Sequence, residues 1–278
     1  MKIFGIARSE RFSPNSAHRD EAVFRAVADV LRADGHEVET MSEDGIGSRE
    51  ELSRCCRASD AVFSMARDAS LLSWLAAEEQ AGCKVINSAV ALLHADRSAL
   101  TRLFITNNIP VPRTCPAAEA AGSLSFPLWL KRGDACAQSA TDVCHAADRG
   151  EFEAAMASFA ARGISDILAC EHAAGDLVKF YGVEGTDFFF HYHATDGAHF
   201  SKFGLEKYNG APAGYAVPTG LLKTCADRAA RLSGLTVYGG DCVVRRDGSF
   251  VIIDFNDWPS YSLCRDAAAA AIARRILQ

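Results

Sequence analysis

Along the first ninety residues, short apolar runs alternate with helical stretches. KIFGIA (2–7) reads as a buried strand, and a polar loop, RSERFSPNSAHR, leads from it into a helix over about Asp20 to Ala33. Ala22, Val23, Ala26, Val27, Val30 and Leu31 form the apolar side of that helix. Gly35 ends it, HEVETM forms a second strand, and 49–58 a short helix. DAVFSM (60–65) is a third strand, SLLSWLAAEEQAG a helix, and KVIN (84–87) a fourth strand. This alternation predicts a Rossmann-like parallel α/β sheet with helices on both faces. Such sheets take ligands at the carboxyl ends of their strands.

From Asn87 the pattern changes. SAVALLHADRSALTRLFITNN is helical with a break near Asp96, and the two prolines of IPVPRT impose an extended segment. FPLWLKRGD (126–134) reads as a strand ending in basic residues. A polar segment, ACAQSATDVCHAADRG, precedes a helix from about Glu151 to Ala161 and a strand, SDILACEH. GDLVKFYGVEG and TDFFFHYHA continue an antiparallel pattern, and 194–218 reads as loop. TGLLKTCADRAARLSG is an amphipathic helix, and the Ala-rich RDAAAAAIARRI closes the chain as another.

Between those last two helices lies the most informative stretch, LTVYGGDCVVRRDGSFVIIDFNDWPSY (235–261). Two apolar runs flank Asp247-Gly248, a pair suited to a two-residue type I′ hairpin turn. With that turn Arg246 faces Ser249, Asp241 faces Asp254, and Asn256 shares the face of Asp254. Two carboxylates held roughly 5 Å apart between buried strands repel each other. A divalent cation resolves the conflict, with the Asn256 carbonyl as a further ligand, and all-oxygen ligation suits Mg2+. The alternatives are two acids at a solvated strand end, or a pair sharing one proton.

Composition narrows the setting. A chain of 278 residues accommodates two or three modules; the expected divisions are 1–90, 91–173 and 174–278. Hydrophobic content of 49% with mean hydropathy near zero describes a protein with ample core. With no membrane-length apolar run and no signal sequence at MKIFGIARSE, the expectation is a cytoplasmic protein without a membrane partner. The ten cysteines form no CxxC spacing and read as reduced thiols. A net charge of −6 argues against nucleic acid as a partner. A homodimer is left open.

The loops after the first and third strands carry Arg8, Arg11, His18 and Arg67. These form a candidate site for an anionic small-molecule substrate; an ordinary solvated loop is the alternative reading. No GxGxxG supports a dinucleotide. His191 and His193 alternate in FFFHYH without an evident third metal ligand, and read as neighbours of the substrate or as packing residues. Trp258 and Tyr261 read as walls of the acceptor pocket or as core, and Lys202 and Lys207 as flanks of the unassigned loop.

From Asn87 onward the order of motifs resembles the ATP-grasp superfamily, both its glutathione synthetase/RimK-like ligases and its inositol trisphosphate 5/6-kinase branch. INSAVALLHADRSALTRLFITNNIPVPRT is similar to the family's entry segment, with Arg97 where its lysine stands. FPLWLK is similar to the strand delivering a phosphate lysine, which implies that role for Lys131. ILACEH is similar to the hinge strand, implying adenine contacts around Cys170, Glu171 and His172. GDLVKFYGV implies a ribose contact at Asp176 and a phosphate contact at Lys179. YGGDCVV and VIIDFNDWPSY are similar to the metal strands, again selecting Asp241, Asp254 and Asn256. Two features depart from the ligase pattern: Asp254 replaces a glutamate, and the segment after Lys131 is poor in glycine. Both resemble the kinase branch, whose loop histidine has no counterpart here unless Gln138 serves.

The resemblance implies an ATP-grasp fold, ATP and Mg2+ as cofactors, and transfer of the γ-phosphoryl group to an acceptor oxygen. Lys131, Lys179 and Arg97 would stabilise the transferring charge. The reading placed first is a carboxylate-amine ligase acting through an acyl phosphate. A small-molecule kinase is the alternative, and a catalytically inactive nucleotide-binding module the third.

Overall fold

Three four-stranded sheets organise the computed structural model, which describes residues 1–13, 16–135, 139–194 and 205–278. Gln138 and Lys202 lie outside those residues. The first sheet is parallel, in the order β2 (Glu37–Ser42), β1 (Lys2–Ala7), β3 (Ala61–Ser64), β4 (Val85–Ile86). Its crossovers are α1 (Ala17–Ala33), α2 (Arg49–Arg57) and α3 (Ala69–Gln80). Both faces of β3 are buried, as its uninterrupted apolar run requires. α1 starts three residues before the apolar periodicity does, because Ala17 to Arg19 form a polar first turn.

Two short helices lead out of this sheet, α4 (Ala89–Leu92) and α5 (Arg97–Thr106). The break between them is a cap: Asp96 accepts from the Ala99 amide at 2.6 Å, so the chain stops and restarts there. The second sheet is antiparallel, in the order β5 (Thr114–Pro116), β8 (Ile167–Glu171), β6 (Leu128–Arg132), β7 (Val143–Ala146). α6 (Ala120–Ser123) and α7 (Arg149–Ala161) accompany it, and Phe159 of α7 is fully buried in its core. β7 corrects the reading of 135–150 as a wholly polar segment. Four residues, VCHA, pair there with Leu128 to Lys131, too short a run for alternation to reveal.

The third sheet is also antiparallel, in the order β10 (Phe189–His193), β9 (Asp176–Val183), β11 (Val237–Val244), β12 (Phe250–Asp257). α8 (Thr219–Ser233) precedes β11, and α9 (Arg265–Leu277) returns to pack on α1, sharing a core with Val23, Phe63 and Trp258. Asn87 joins first and third sheets: its amide accepts from Val237 N at 2.6 Å and donates to Val237 O at 2.8 Å. No helix among the described residues is long and apolar enough to cross a membrane.

The β11–β12 hairpin departs twice from the expected register. Arg245 N donates to Ser249 O at 2.8 Å and Gly248 N to Arg245 O at 3.0 Å, leaving a three-residue loop, Arg246 to Gly248, rather than two. Gly248 takes φ +80°, and the Asp247 carboxylate accepts from both the amide and the hydroxyl of Ser249. Such a loop, a turn closed by a left-handed glycine, is the next commonest hairpin connection. The adjoining pairs are displaced by one residue, with Cys242 facing Ile252. A bulge at Ile253 then restores the register, and Asp241 faces Asp254.

Gly240 sits between β9 and β12 where a Cβ would overlap the Asp254 carbonyl oxygen and the Phe180 ring. Gly240→Ala is therefore expected to lower stability by about 1–3 kcal/mol through overpacking, measured by urea denaturation. An unchanged midpoint would contradict this packing.

Candidate active site

β9, β11 and β12 place three charged residues in one row: Asp241 pairs with Lys179 on one side and with Asp254 on the other. Lys179 Nζ donates to both Asp241 carboxylate oxygens at 3.2 Å. Asn256 Nδ2 donates to Asp254 Oδ2 at 2.8 Å. From α5, Arg97 reaches Asp254 Oδ1 at 3.5 Å, while its Nη1 donates to the Arg132 carbonyl at 2.9 Å. From β6, Lys131 Nζ donates to the Ile253 carbonyl at 2.7 Å, the oxygen of the bulge residue. All six side chains line one cavity of about 830 Å³. Burial alone would push the Asp254 carboxyl up; Arg97, Lys131 and hydrogen bonds from Asn256 and Arg97 outweigh it and hold the group below its ordinary value.

On sequence grounds, repulsion between the facing acids calls for a divalent cation. In the structure the protein's own cations supply part of that compensation, Lys179 at Asp241 and Arg97 at Asp254. Three cations, counting Lys131, meet two carboxylates here, so a bare divalent ion would join a cluster already net positive. The donor set of two carboxylates and one amide carbonyl is all oxygen and fits Mg2+ when a polyphosphate supplies further negative charge. Among the described residues no group of three or more His, Cys, Asp or Glu side chains offers another metal site.

The cavity also reaches the link from β8 to β9, between the second and third sheets. Cys170, Glu171 and His172 line it there, as does Trp129, two residues before Lys131 and so on the same strand face. Trp129 Nε1 donates to His172 Nδ1 at 3.1 Å, and burial together with the neighbouring His145 lowers the pKa of His172. His145 stacks on Tyr208 with ring centroids 4.3 Å apart, and Tyr208 meets the Trp129 edge at 5.3 Å. This group of flat rings escaped sequence reasoning because His145 lies in the unrecognised β7; Trp129 beside Lys131 was the available signal. The Glu171 carboxylate is held by Arg113 at 3.0 Å and the Ser125 amide at 3.1 Å.

Other predicted residues divide. Arg8, Arg11 and Arg67 line the cavity; His18 is exposed on α1 and does not. Asp176 is corrected as well. Its buried carboxylate accepts from the amides of Ala213 and Tyr215, both at 2.7 Å, and does not face the cavity. It fixes the segment before α8. Trp258 lines the cavity, whereas Tyr261 is core, its hydroxyl donating to the carbonyls of Gly182 and Tyr238. His191 and His193 contact Thr219 and Tyr215, away from the cavity. Lys207 is exposed beside the Tyr208 ring.

Removing Arg97 deletes the leading favourable charge at Asp254. In Arg97→Ala the Asp254 carboxyl is expected to titrate at higher pH than in the wild type, read by carbon NMR of the side chain. The stability that Asp254 contributes is present above its unfolded pKa and is lost as pH falls through the lower folded value. The variant should consequently acid-denature at higher pH. An unmoved titration would refute the ion pair.

No family model matches the chain, and no curated protein does. Solved structures do. A RimK domain ATP-grasp protein from Sphaerobacter thermophilus superposes with a TM-score of 0.69 at 20% identity, covering 100% of both chains. D-alanine–D-alanine ligase from Bacillus anthracis, solved with ATP, gives 0.69 at 13% identity over 100% of this chain and 96% of its own. The VanG D-Ala:D-Ser ligase from Enterococcus faecalis gives 0.68 at 16% identity over 99% and 98%. Three sheets in this order, a lysine and an arginine converging on a facing acid pair, and end-to-end superposition on these structures establish that this chain has the ATP-grasp fold.

Proposed function

We propose that this protein is an ATP- and Mg2+-dependent carboxylate-amine ligase. The observation that carries the reading is the convergence of Lys131, Lys179, Arg97, Asp241, Asp254 and Asn256 on one wall of a cavity large enough for a nucleotide and a small acceptor. They come from five elements, α5, β6, β9, β11 and β12, the last supplying both Asp254 and Asn256. Lys131 reaches this wall from β6, Arg97 from α5 and Lys179 from β9, so a polyphosphate bound there would meet positive charge from three elements. Mg2+, when bound, would neutralise and orient phosphate oxygens at Asp241, Asp254 and Asn256.

The rings of Trp129 and His172 offer flat apolar surface for a purine beside the hinge strand. With the nucleotide fixed there, an acceptor carboxylate near Asn256 would take the γ-phosphoryl group. The acyl phosphate so formed would be opened by an amine, giving an amide, ADP and phosphate. Arg97 and Lys131 stabilise charge as it develops on the transferring group, and the surrounding walls limit water that would hydrolyse the intermediate. The ligase names of the similar structures support this reading over the kinase alternative. The shorter Asp254, in place of a glutamate, and the glycine-poor segment after Lys131 are the features that favour phosphoryl transfer to a hydroxyl.

Hydroxylamine distinguishes the two. With ATP, Mg2+ and a panel of carboxylic acids, the ligase reading predicts hydroxamate formation matched by ADP. ADP with a phosphorylated polyol and no hydroxamate would establish the kinase, and no ADP with any acceptor the inactive module. Asp254→Ala should lower turnover by about a hundredfold to a thousandfold while the far-ultraviolet circular dichroism stays unchanged. Full activity in that variant would remove Asp254 from the site.

A further inference from the structure

Register sorts the third sheet into two faces. Asp241 pairs with Lys179, and Lys179 in turn with Tyr192 of the edge strand β10. Two residues along, Gly239 pairs with Asn256 on one side and Tyr181 on the other, and Tyr181 pairs with Phe190. Directly paired residues share a face, so Tyr181, Phe190 and Tyr192 project on the side of the charged cluster. The opposite face, with Phe180, Tyr238 and Phe255, is core. Tyr181 and Tyr192 are half-buried and line the cavity.

The rings are braced in place. Tyr181 lies nearly parallel to Phe190, with centroids 6.4 Å apart at 9°, and rests on buried Tyr261 at 5.5 Å. Its hydroxyl is 3.4 Å from that of Tyr192. Burial first, and Tyr192 second, push the Tyr181 phenol up, so the ring stays uncharged beside the acid pair. Gly239 sets how closely these groups approach. A Cβ there would lie 2.7 Å from the Pro259 ring and 2.8 Å from Tyr181 Cδ1. With no side chain in the way, the tyrosine edge and the proline close over the strand and continue one floor toward Asn256.

Along β9 the cavity-lining residues run Leu177, Lys179, Tyr181, leading away from the link that carries His172. A nucleotide with its ring at Trp129 and His172 and its phosphates at the charged row leaves the aromatic floor to the acceptor. The core on the back face has its own rings, and tyrosine suits a surface with one wet side. We propose that Tyr181, Tyr192 and Pro259 seat an aromatic group of the acceptor, which is an aromatic carboxylic acid. Asn256 and Tyr181 stand two strand spacings apart, roughly 10 Å between backbones. A carboxylate on a short tether to a ring covers that span. That the carboxylate is the reacting group rests on the ligase reading; the seat for the ring does not.

The test is calorimetric titration of the full chain with Mg2+ and a non-hydrolysable ATP analogue, which keeps the probes off Trp129. Hydrocinnamate is compared with propanoate, hexanoate and γ-butyrobetaine, whose quaternary ammonium is the other group that tyrosine rings attract. Hydrocinnamate is expected to bind about tenfold or more tightly than propanoate, and severalfold more tightly than the other two. Tyr192→Ala should cut that preference severalfold, whereas Tyr192→Phe should keep it, because the ring and not the hydroxyl forms the seat. Tyr181→Leu should act as Tyr192→Ala does, with a melting curve checking that it folds; should it unfold, the Tyr192 pair decides. Equal affinities, binding by none of the four, a tighter fit of γ-butyrobetaine, or a preference that survives in Tyr192→Ala would overturn the proposal. Failure of the ligase reading is separately visible, as absent hydroxamate alongside an intact calorimetric preference.

Discussion

Two aspartates face each other across a strand pair, and much of the structure is arranged around that opposition. Left alone, Asp241 and Asp254 would destabilise the hairpin that carries them. Lys179 answers the first from the neighbouring strand and Arg97 the second from α5. The compensation is therefore long-range, and it binds separate parts of the chain to one point. Lys131 adds a third positive charge through the carbonyl that the bulge at Ile253 presents. The result is a site whose protein charges nearly balance but lean positive, which favours a polyanion over a bare metal ion.

The same strand organises the other half of the cavity. Alternation turns Asn256 toward the charged cluster and Asp257 toward the first sheet, where Arg8 and Arg67 hold it. A shift in either half is thus felt by the next residue of β12. Asn87 and α9 hold the first and third sheets together from other directions, through a paired amide–backbone contact and a shared apolar core. The second sheet contacts the cluster through Lys131 and the Arg132 carbonyl. The same sheet carries the Trp129 ring, two residues along from Lys131, against that of His172 at the other end of the cavity wall.

Much of this was legible in the sequence, for local reasons. The helices and strands of the first sheet follow from apolar periodicity, and the Asp96 cap from a single residue. The facing acids were reached by a register that is wrong at the loop and corrected by the bulge. The three-residue loop is tied by Asp247 to Ser249, and the bulge leaves a single residue, Ile253, out of register; neither is visible as a pattern. β7 was hidden by its shortness. The Arg67–Asp257 contact joins residues 190 positions apart, and nothing local announces it. Asp176 resembled a ligand contact because its position in the motif order is right, yet burial against 213–215 turned its carboxylate away. Chemistry carried by strand alternation could be read; chemistry that depends on tertiary approach could not.

The most direct test of the central claim is calorimetric titration of ATP with and without Mg2+, in the wild type and in Asp254→Asn. If the cluster is a polyphosphate site that accepts a metal only together with nucleotide, ATP will bind the wild type more tightly with Mg2+. Mg2+ alone will give no heat, and the Mg2+ enhancement will disappear in the variant. Tight binding of Mg2+ without nucleotide, or an enhancement that persists in Asp254→Asn, would contradict the account.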